Sequence, residues 1–250
     1  MAAPPSLLLS LRNVYETLAI SAPTVVEAWR GTLSREGCDA RLAGWGHRVV
    51  ANLAMDVRVR GREHVVAGRT YVLMSNHQSH YDVPVVYHVL GGNIRMVAKK
   101  ELFGLPVFGH ALADAGFVPV DRSNRASAIA SLAAARAHLD AGTHIWIAPE
   151  GTRSLTGELE RFKKGGFVLA VDAHAPILPI TIQGTRDALR ARGSRSRPNA
   201  RVDVTIHPAV ETDAFRDASG VVTKEARERL VETVRSAIAS GLRPRDGATP

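Results

Sequence analysis

The chain has 250 residues, 45% of them hydrophobic, enough for one substantial core with an accessory segment. A formal net charge of +8, carried mostly by arginine, favours anionic partners: a phospholipid surface, a phosphorylated substrate or nucleic acid. The single Cys38 excludes an intrachain disulfide and suits a reducing compartment, and no apolar run reaches the roughly 18 residues of a transmembrane helix. The N-terminus lacks the basic segment and cleavage site of a signal peptide. Across 6–29, Leu7, Leu8, Leu11, Val14, Tyr15, Leu18 and Ile20 recur at helical spacing, interrupted by Arg12, Glu16 and Glu27. Such an amphipathic helix either lies in a bilayer interface or covers part of the chain's own core. Residues 40–55, with Leu42, Trp45, Val49, Val50, Leu53 and Met55, predict a second helix.

Val57-Arg-Val-Arg60 alternates as a strand does, and Gly61 ends it. Apolar runs rich in β-branched residues predict further strands at 70–75, 94–98, 117–120, 144–148, 177–182 and 202–206. Helical patterns at 83–90, 102–115, 124–140 and 163–174 lie between several of them, with Gly142 closing the third. This alternation predicts a single α/β domain on a mixed, mostly parallel sheet of about six or seven strands flanked by helices. The two N-terminal helices would cap it. Residues 186–201 hold six arginines among glycine, serine and proline and read as a basic surface loop. A closing amphipathic helix is expected at 222–241. The chain thus divides into a helical, membrane-associating segment (1–55), the main domain (56–241) and a disordered tail (242–250).

The chemistry sits at predicted strand ends, where open α/β sheets hold their ligands. Asn76-His77 follows the apolar run 71–74, and Asp82 lies five residues on. On one continuous helix that spacing separates two side chains by about 140°. The pair can meet if His77 sits in the turn and Asp82 at or near the start of the helix holding Pro84. An aspartate bonded to one imidazole nitrogen leaves the other free as a base for a hydroxyl proton. Read alone, Asp82 is equally well a helix N-cap, and His80 is a rival base. Arg122 follows Phe117–Val120, where a guanidinium can grip a phosphate or simply be solvated. In Pro149-Glu-Gly-Thr-Arg153, Gly151 permits torsions closed to other residues, and Thr152 and Arg153 offer donors and charge to an anion. Lys99 and Lys100 are a further source of cations. A nucleophile elbow, a Walker loop, a His-Glu-x-x-His motif and paired cysteines are all missing from the sequence.

Asn76-His77 through Asp82 resembles the His-x-x-x-x-Asp block of the glycerolipid acyltransferases. Gly116-Phe117 through Arg122 resembles their second block, Pro149–Ser154 their third and Pro176–Ile180 their fourth. Phe162-Lys-Lys-Gly165 and Lys99–Phe103 are similar to two further patches. The blocks fall in the family's order over about residues 40–210, and it is the ordered set that carries specificity. The resemblance implies that 56–241 is an acyltransferase domain, with His77 as general base and Asp82 orienting and charging the imidazole. Lys99, Arg122 and Arg153 would hold the acceptor phosphate, with Glu150, Gly151 and Thr152 shaping that pocket. The implied reaction moves an acyl chain from a thioester, acyl-CoA or acyl carrier protein, onto the sn-2 hydroxyl of lysophosphatidic acid, giving phosphatidic acid. No metal or bound cofactor is implied. Relatives that acylate other lysophospholipids or lyso-ornithine lipids leave a second acceptor class open. Many members carry N-terminal transmembrane helices. Here a peripheral or monotopic attachment to the cytoplasmic face of the membrane is expected instead. The rival from another class is a non-enzymatic binder of anionic membrane or nucleic acid built around 186–201. It explains neither His77 with Asp82 nor the ordered blocks, so no nucleic-acid partner is expected.

Overall fold

The computed structural model describes residues 4–121 and 125–243. The β-branched runs become β1 (Asp56–Arg60), β2 (Val72–Ser75), β3 (Ile94–Lys99), β4 (Val118–Val120), β5 (His144–Ile147), β6 (Ile177–Gln183) and β7 (Arg201–Ile206). They form one sheet in the order β1-β7-β6-β2-β5-β3-β4. All neighbours run parallel except β6 and β7. β2 lies near the centre with every residue buried, which is why its sequence is a continuous apolar run rather than an alternation. β1, at the edge, alternates exposed and half-buried residues.

Around the sheet lie α1 (Leu7–Trp29), α2 (Arg35–Asn52), α3 (Asp82–Leu90), α4 (Phe108–Asp114), α5 (Arg125–Asp140), α6 (Gly165–Asp172), α7 (Thr185–Ala188) and α8 (Lys224–Ser240). One core, containing Val49, Leu53, Leu73, Val85, Tyr87 and Ile180, joins α2 and α3 to one face of the sheet. A second, with Val72, Ala135, Phe167, Leu169, Leu230 and Val234, joins α5, α6 and α8 to the other. The result is a three-layer α/β/α sandwich of the expected class. α2 crosses α3 closely at Gly46, where a Cβ would stand 2.7 Å from the Pro84 carbonyl oxygen. Ser34 caps α2 by accepting from the Gly37 amide at 3.0 Å, so this helix starts five residues before the 40 expected from the apolar spacing alone.

The helix expected over 102–115 is broken. Residues Lys100–Gly104 form a 3₁₀ turn, and α4 begins only at Phe108. Between them Pro106 offers no backbone donor and disfavours a helical Leu105, while Val107 adopts φ 61°. α7 was not foreseen. The tail expected from 242 falls outside the described residues from 244 onward, whereas the backbone of Arg243 exchanges hydrogen bonds with the Gln183 side chain at 3.0 and 3.1 Å.

α1 is inside out relative to a core-covering helix. Its buried residues are polar, Asn13, Ser21 and Thr24. Most of its large apolar side chains face outward, with Leu8 76%, Tyr15 67% and Trp29 85% exposed, and Leu7, Leu11, Val14 and Leu18 on the same surface, whereas Leu9 and Ile20 pack against the core. The polar groups are satisfied internally: the hydroxyls of Thr17, Ser21 and Thr24 donate to carbonyls one turn back, and Asn13 donates to the Tyr81 hydroxyl at 3.0 Å. Ion pairs Glu16–Arg48 and Glu27–Arg41 fasten α1 to α2. The Arg48 hydrogen bond holds the Glu16 carboxyl below its ordinary pKa. Among the described residues, no helix is long and apolar enough to cross a membrane.

Candidate active site

β2 delivers the first block to the carboxyl-terminal edge of the sheet. Asn76 extends the strand pairing through its side chain, donating to the Ile182 carbonyl and accepting from the Ile182 amide, both at 2.8 Å. His77 then leaves the strand, and Asp82 is the first residue of α3. His77 Nδ1 lies 2.7 Å from Asp82 Oδ2, in the turn-then-helix arrangement that lets this spacing bring the two together. The same oxygen accepts the amides of Gln78 at 2.7 Å and Ser79 at 2.9 Å, and Oδ1 accepts the Thr185 hydroxyl. Asp82 is therefore both the acceptor that closes the turn and the partner of His77, so the two sequence readings coexist. A carboxylate can only accept, so Nδ1 carries the proton and Nε2 presents its lone pair. Trp146 packs edge-on to the imidazole, with ring centroids 5.7 Å apart, and is itself fixed by donation to Ser75 Oγ at 3.0 Å.

The third block approaches from β5. Glu150 is buried and accepts the His77 amide on Oε1 at 2.8 Å and the Glu160 amide on Oε2 at 2.9 Å. Burial raises its pKa, and the two amides oppose that rise. Buried and outside the cavity lining, Glu150 braces the His77 turn against the 149–160 segment. Ser154 reinforces the brace by donating its amide to the His77 carbonyl at 2.8 Å. Gly151 adopts φ 72°, and a Cβ there would stand 2.8 Å from Lys163 Nζ, because the Lys163 chain lies across it. Arg153 donates to the Ala191 carbonyl, and burial lowers its pKa while the Asp82 charge opposes the shift.

These groups open on a cavity of about 1120 Å³. His77, His80, Lys99, Gly151, Thr152, Arg153 and Lys163 line it, and its far walls are the polar face of α1 with apolar residues of α2, α4 and β3. Lys99 contributes from an exposed position and pairs with Glu101 at 3.2 Å. Glu150 and Asp82 stand behind the wall, and Arg122 lies outside the described residues. His80 sits at the mouth. Desolvation of its ring, with the Arg153 and His77 charges, pulls its pKa down to about 4, though its exposure lets solvent temper the shift. The direction makes His80 a weaker proton acceptor than an ordinary imidazole. Among the described residues, no group of three or more potential metal ligands is found.

Sequence reasoning missed Thr185, Trp146 and Lys163. Thr185 follows Gly184 at the end of β6, the strand adjoining β2, so only the strand order brings it to Asp82. Trp146 lies inside the apolar run that precedes the third block, and Lys163 within the noted Phe162–Gly165 stretch.

A protein-family profile described as Acyltransferase matches residues 56–183. The chain is 32% identical over 188 residues to the mouse 1-acyl-sn-glycerol-3-phosphate acyltransferase alpha, an alignment covering 74% of this chain and 66% of that one. Against the Saccharomyces cerevisiae 1-acyl-sn-glycerol-3-phosphate acyltransferase the identity is 29% over 192 residues, 76% of this chain and 63% of the relative. The chain thus spans just under two thirds of the length of these curated relatives. A crystal structure of the 1-acyl-sn-glycerophosphate (LPA) acyltransferase from Thermotoga maritima superposes with a TM-score of 0.69 at 26% identity, covering 95% of this chain and all of that one. With more than half of its length matched by the profile and its first and third blocks meeting at one end of the sheet, this chain belongs to the acyltransferase family.

Proposed function

We propose that the chain transfers an acyl group from a thioester, on coenzyme A or acyl carrier protein, to the sn-2 hydroxyl of lysophosphatidic acid. The observation that carries this is the His77–Asp82 pair, whose imidazole lines a large, mainly apolar cavity that Arg153 also lines. His77 Nε2 takes the hydroxyl proton as the oxygen attacks the thioester carbonyl carbon. The resulting imidazolium is stabilised by Asp82, and it returns the proton to the sulfur as the carbon–sulfur bond breaks and the tetrahedral intermediate collapses to ester and free thiol. Arg153, with Thr152 and Lys99 lining the same cavity, binds the acceptor phosphate, and Arg122 is assigned to that phosphate by sequence alone. The Acyltransferase match and the activities named for the relatives support this reading over a non-enzymatic binder. A different lysolipid acceptor is the second reading within the class.

The acceptor is an amphiphile resident in a bilayer, and the outward apolar face of α1 supports docking there by interfacial insertion. We assign that docking to the cytoplasmic face. A panel of lysolipid acceptors with detection of thiol release tests the function. Lysophosphatidic acid should be the best acceptor, and His77→Ala should abolish turnover while vesicle binding persists. Thiol release that is undiminished in His77→Ala, or absent with every lysolipid, would remove the proposal.

A further inference from the structure

The loop between α7 and β7 carries Arg190, Arg192, Arg195 and Arg197, all exposed. None of the four makes an ion pair among the described residues. Four unneutralised guanidinium groups on one short loop repel one another, so the loop is held by its backbone rather than by its charges. The Ser79 hydroxyl donates to the Leu189 carbonyl at 2.7 Å, the Arg197 amide donates to the Ala188 carbonyl at 2.8 Å, and Arg153 donates to the Ala191 carbonyl. Fully buried Ser196 pins it further: its backbone exchanges hydrogen bonds with Ser6 at 2.7 and 3.1 Å, and its hydroxyl meets Ser10 and Tyr81 at 2.7 and 2.6 Å. Successive side chains of an extended segment alternate in direction. With Ser196 turned inward, Arg195 and Arg197 turn outward.

The position of this cationic loop decides what it meets. Ser6 is the cap of α1, and the residues after it, Leu7, Leu8 and Leu11, begin the exposed apolar face. Leu189 and Ser194 of the loop line the cavity. Cations therefore border an apolar surface on one side and the cavity lining on the other. An apolar face that inserts among acyl chains brings its bordering cations to the level of the headgroup phosphates.

We propose that the 189–198 loop is a docking collar for anionic phospholipid headgroups, seating the cavity mouth against the bilayer. The inference rests on the interfacial reading of α1 and adds a selectivity that insertion alone does not give. Each basic residue at an anionic surface strengthens binding by about fivefold, and solvent screening reduces the combined effect of the loop to somewhere above about tenfold.

The test uses the full chain and the variant Arg190→Gln/Arg192→Gln/Arg195→Gln/Arg197→Gln, with folding checked by circular dichroism and thermal melting. Binding is measured by co-sedimentation with acceptor-free vesicles of phosphatidylcholine, with and without phosphatidylglycerol. The native chain should prefer the anionic vesicles, and the variant should bind both kinds alike. On detergent-dispersed acceptor, kcat and both KM values should be unchanged. A native chain that binds neutral vesicles without any anionic preference, or a variant that keeps the preference, overturns the collar and leaves insertion standing. A native chain that binds neither vesicle overturns the insertion reading with it. A variant with native partitioning but a raised donor KM assigns the arginines to the donor's phosphates instead.

Discussion

Asp82→Asn separates the catalytic from the structural work of this residue. In the native site Oδ2 accepts His77 Nδ1 and the amides of Gln78 and Ser79, and Oδ1 accepts the Thr185 hydroxyl. Asparagine keeps one oxygen for the two amides and the imidazole, and its amide group then faces Thr185, whose hydroxyl rotates to accept. The turn survives with charge-assisted bonds replaced by neutral ones, a loss of about 1–2 kcal/mol in stability. Alanine would instead strand two buried amides and confuse folding with chemistry. The full charge on Asp82 matters when His77 becomes an imidazolium. Two unit charges about 4 Å apart interact by roughly 4 kcal/mol at an effective dielectric of 20. That dielectric is apt because the His77 side chain is 17% exposed and Asp82 wholly buried. Removing this interaction lowers kcat by about 10³, with KM for the acceptor little changed because substrate touches neither oxygen. The assay is continuous thiol release with detergent-dispersed lysophosphatidic acid, beside a thermal melt. A variant that keeps more than about a tenth of native kcat, below the usual effect of general-base catalysis, would reduce Asp82 to a turn cap.

Gly151→Ala places a Cβ against Lys163 at φ 72°, so the melting temperature should fall with a loss of about 1–2 kcal/mol, and kcat should fall with it; native kinetics would show that the turn relaxes freely. Glu150→Gln replaces one acceptor oxygen with a donor facing a backbone N–H, and should lower kcat by loosening the His77 turn while leaving vesicle binding intact, as read by the two assays in parallel. Burial lowers the pKa values of His88, His138, His144 and His207, so the unfolded chain binds more protons just below pH 6.5. Stability should therefore be lost as pH falls from about 6.5 through the lowered folded values, and a melting temperature that is flat between pH 7.5 and 5 would contradict that burial. Leu8→Ser/Leu11→Ser/Tyr15→Ser on α1 should abolish sedimentation with vesicles yet preserve the melt and detergent activity, since these side chains are exposed.

How much of this was legible in one dimension depends on whether the deciding interaction is local. The continuous apolar run of β2 and the spacing from His77 to Asp82 are local, and each admits few geometries. Pro106, the break in the 102–115 helix, is an equally local signal. Thr185 reaches Asp82 only because β6 lies beside β2, a fact of strand order with no local signature. Glu150 stands in a block full of ligand-type residues, yet its oxygens are both taken by amides from separate segments. Residue type gives a group's capacity for hydrogen bonding, and only the fold says what consumes it.

α1 makes the same argument for faces rather than atoms. Helical periodicity in Leu7, Leu8, Leu11, Val14, Tyr15 and Leu18 defines a stripe, and a stripe on a soluble helix is ordinarily turned to the core. Here the opposite stripe is the one turned inward. Asn13 is tied to Tyr81, Thr17 accepts the Trp45 indole, and Glu16 and Glu27 pair with arginines of α2. Apolar burial in water would favour turning such a helix over, so the observed orientation is held by polar contacts that an inverted helix would forfeit. A bilayer removes that conflict, because the exposed leucines then enter hydrocarbon while the polar face keeps its partners. The sequence carries both stripes and cannot rank them. The ranking comes from α2, from Tyr81 just before α3, and from Ser196 of the arginine loop, which meet the polar side.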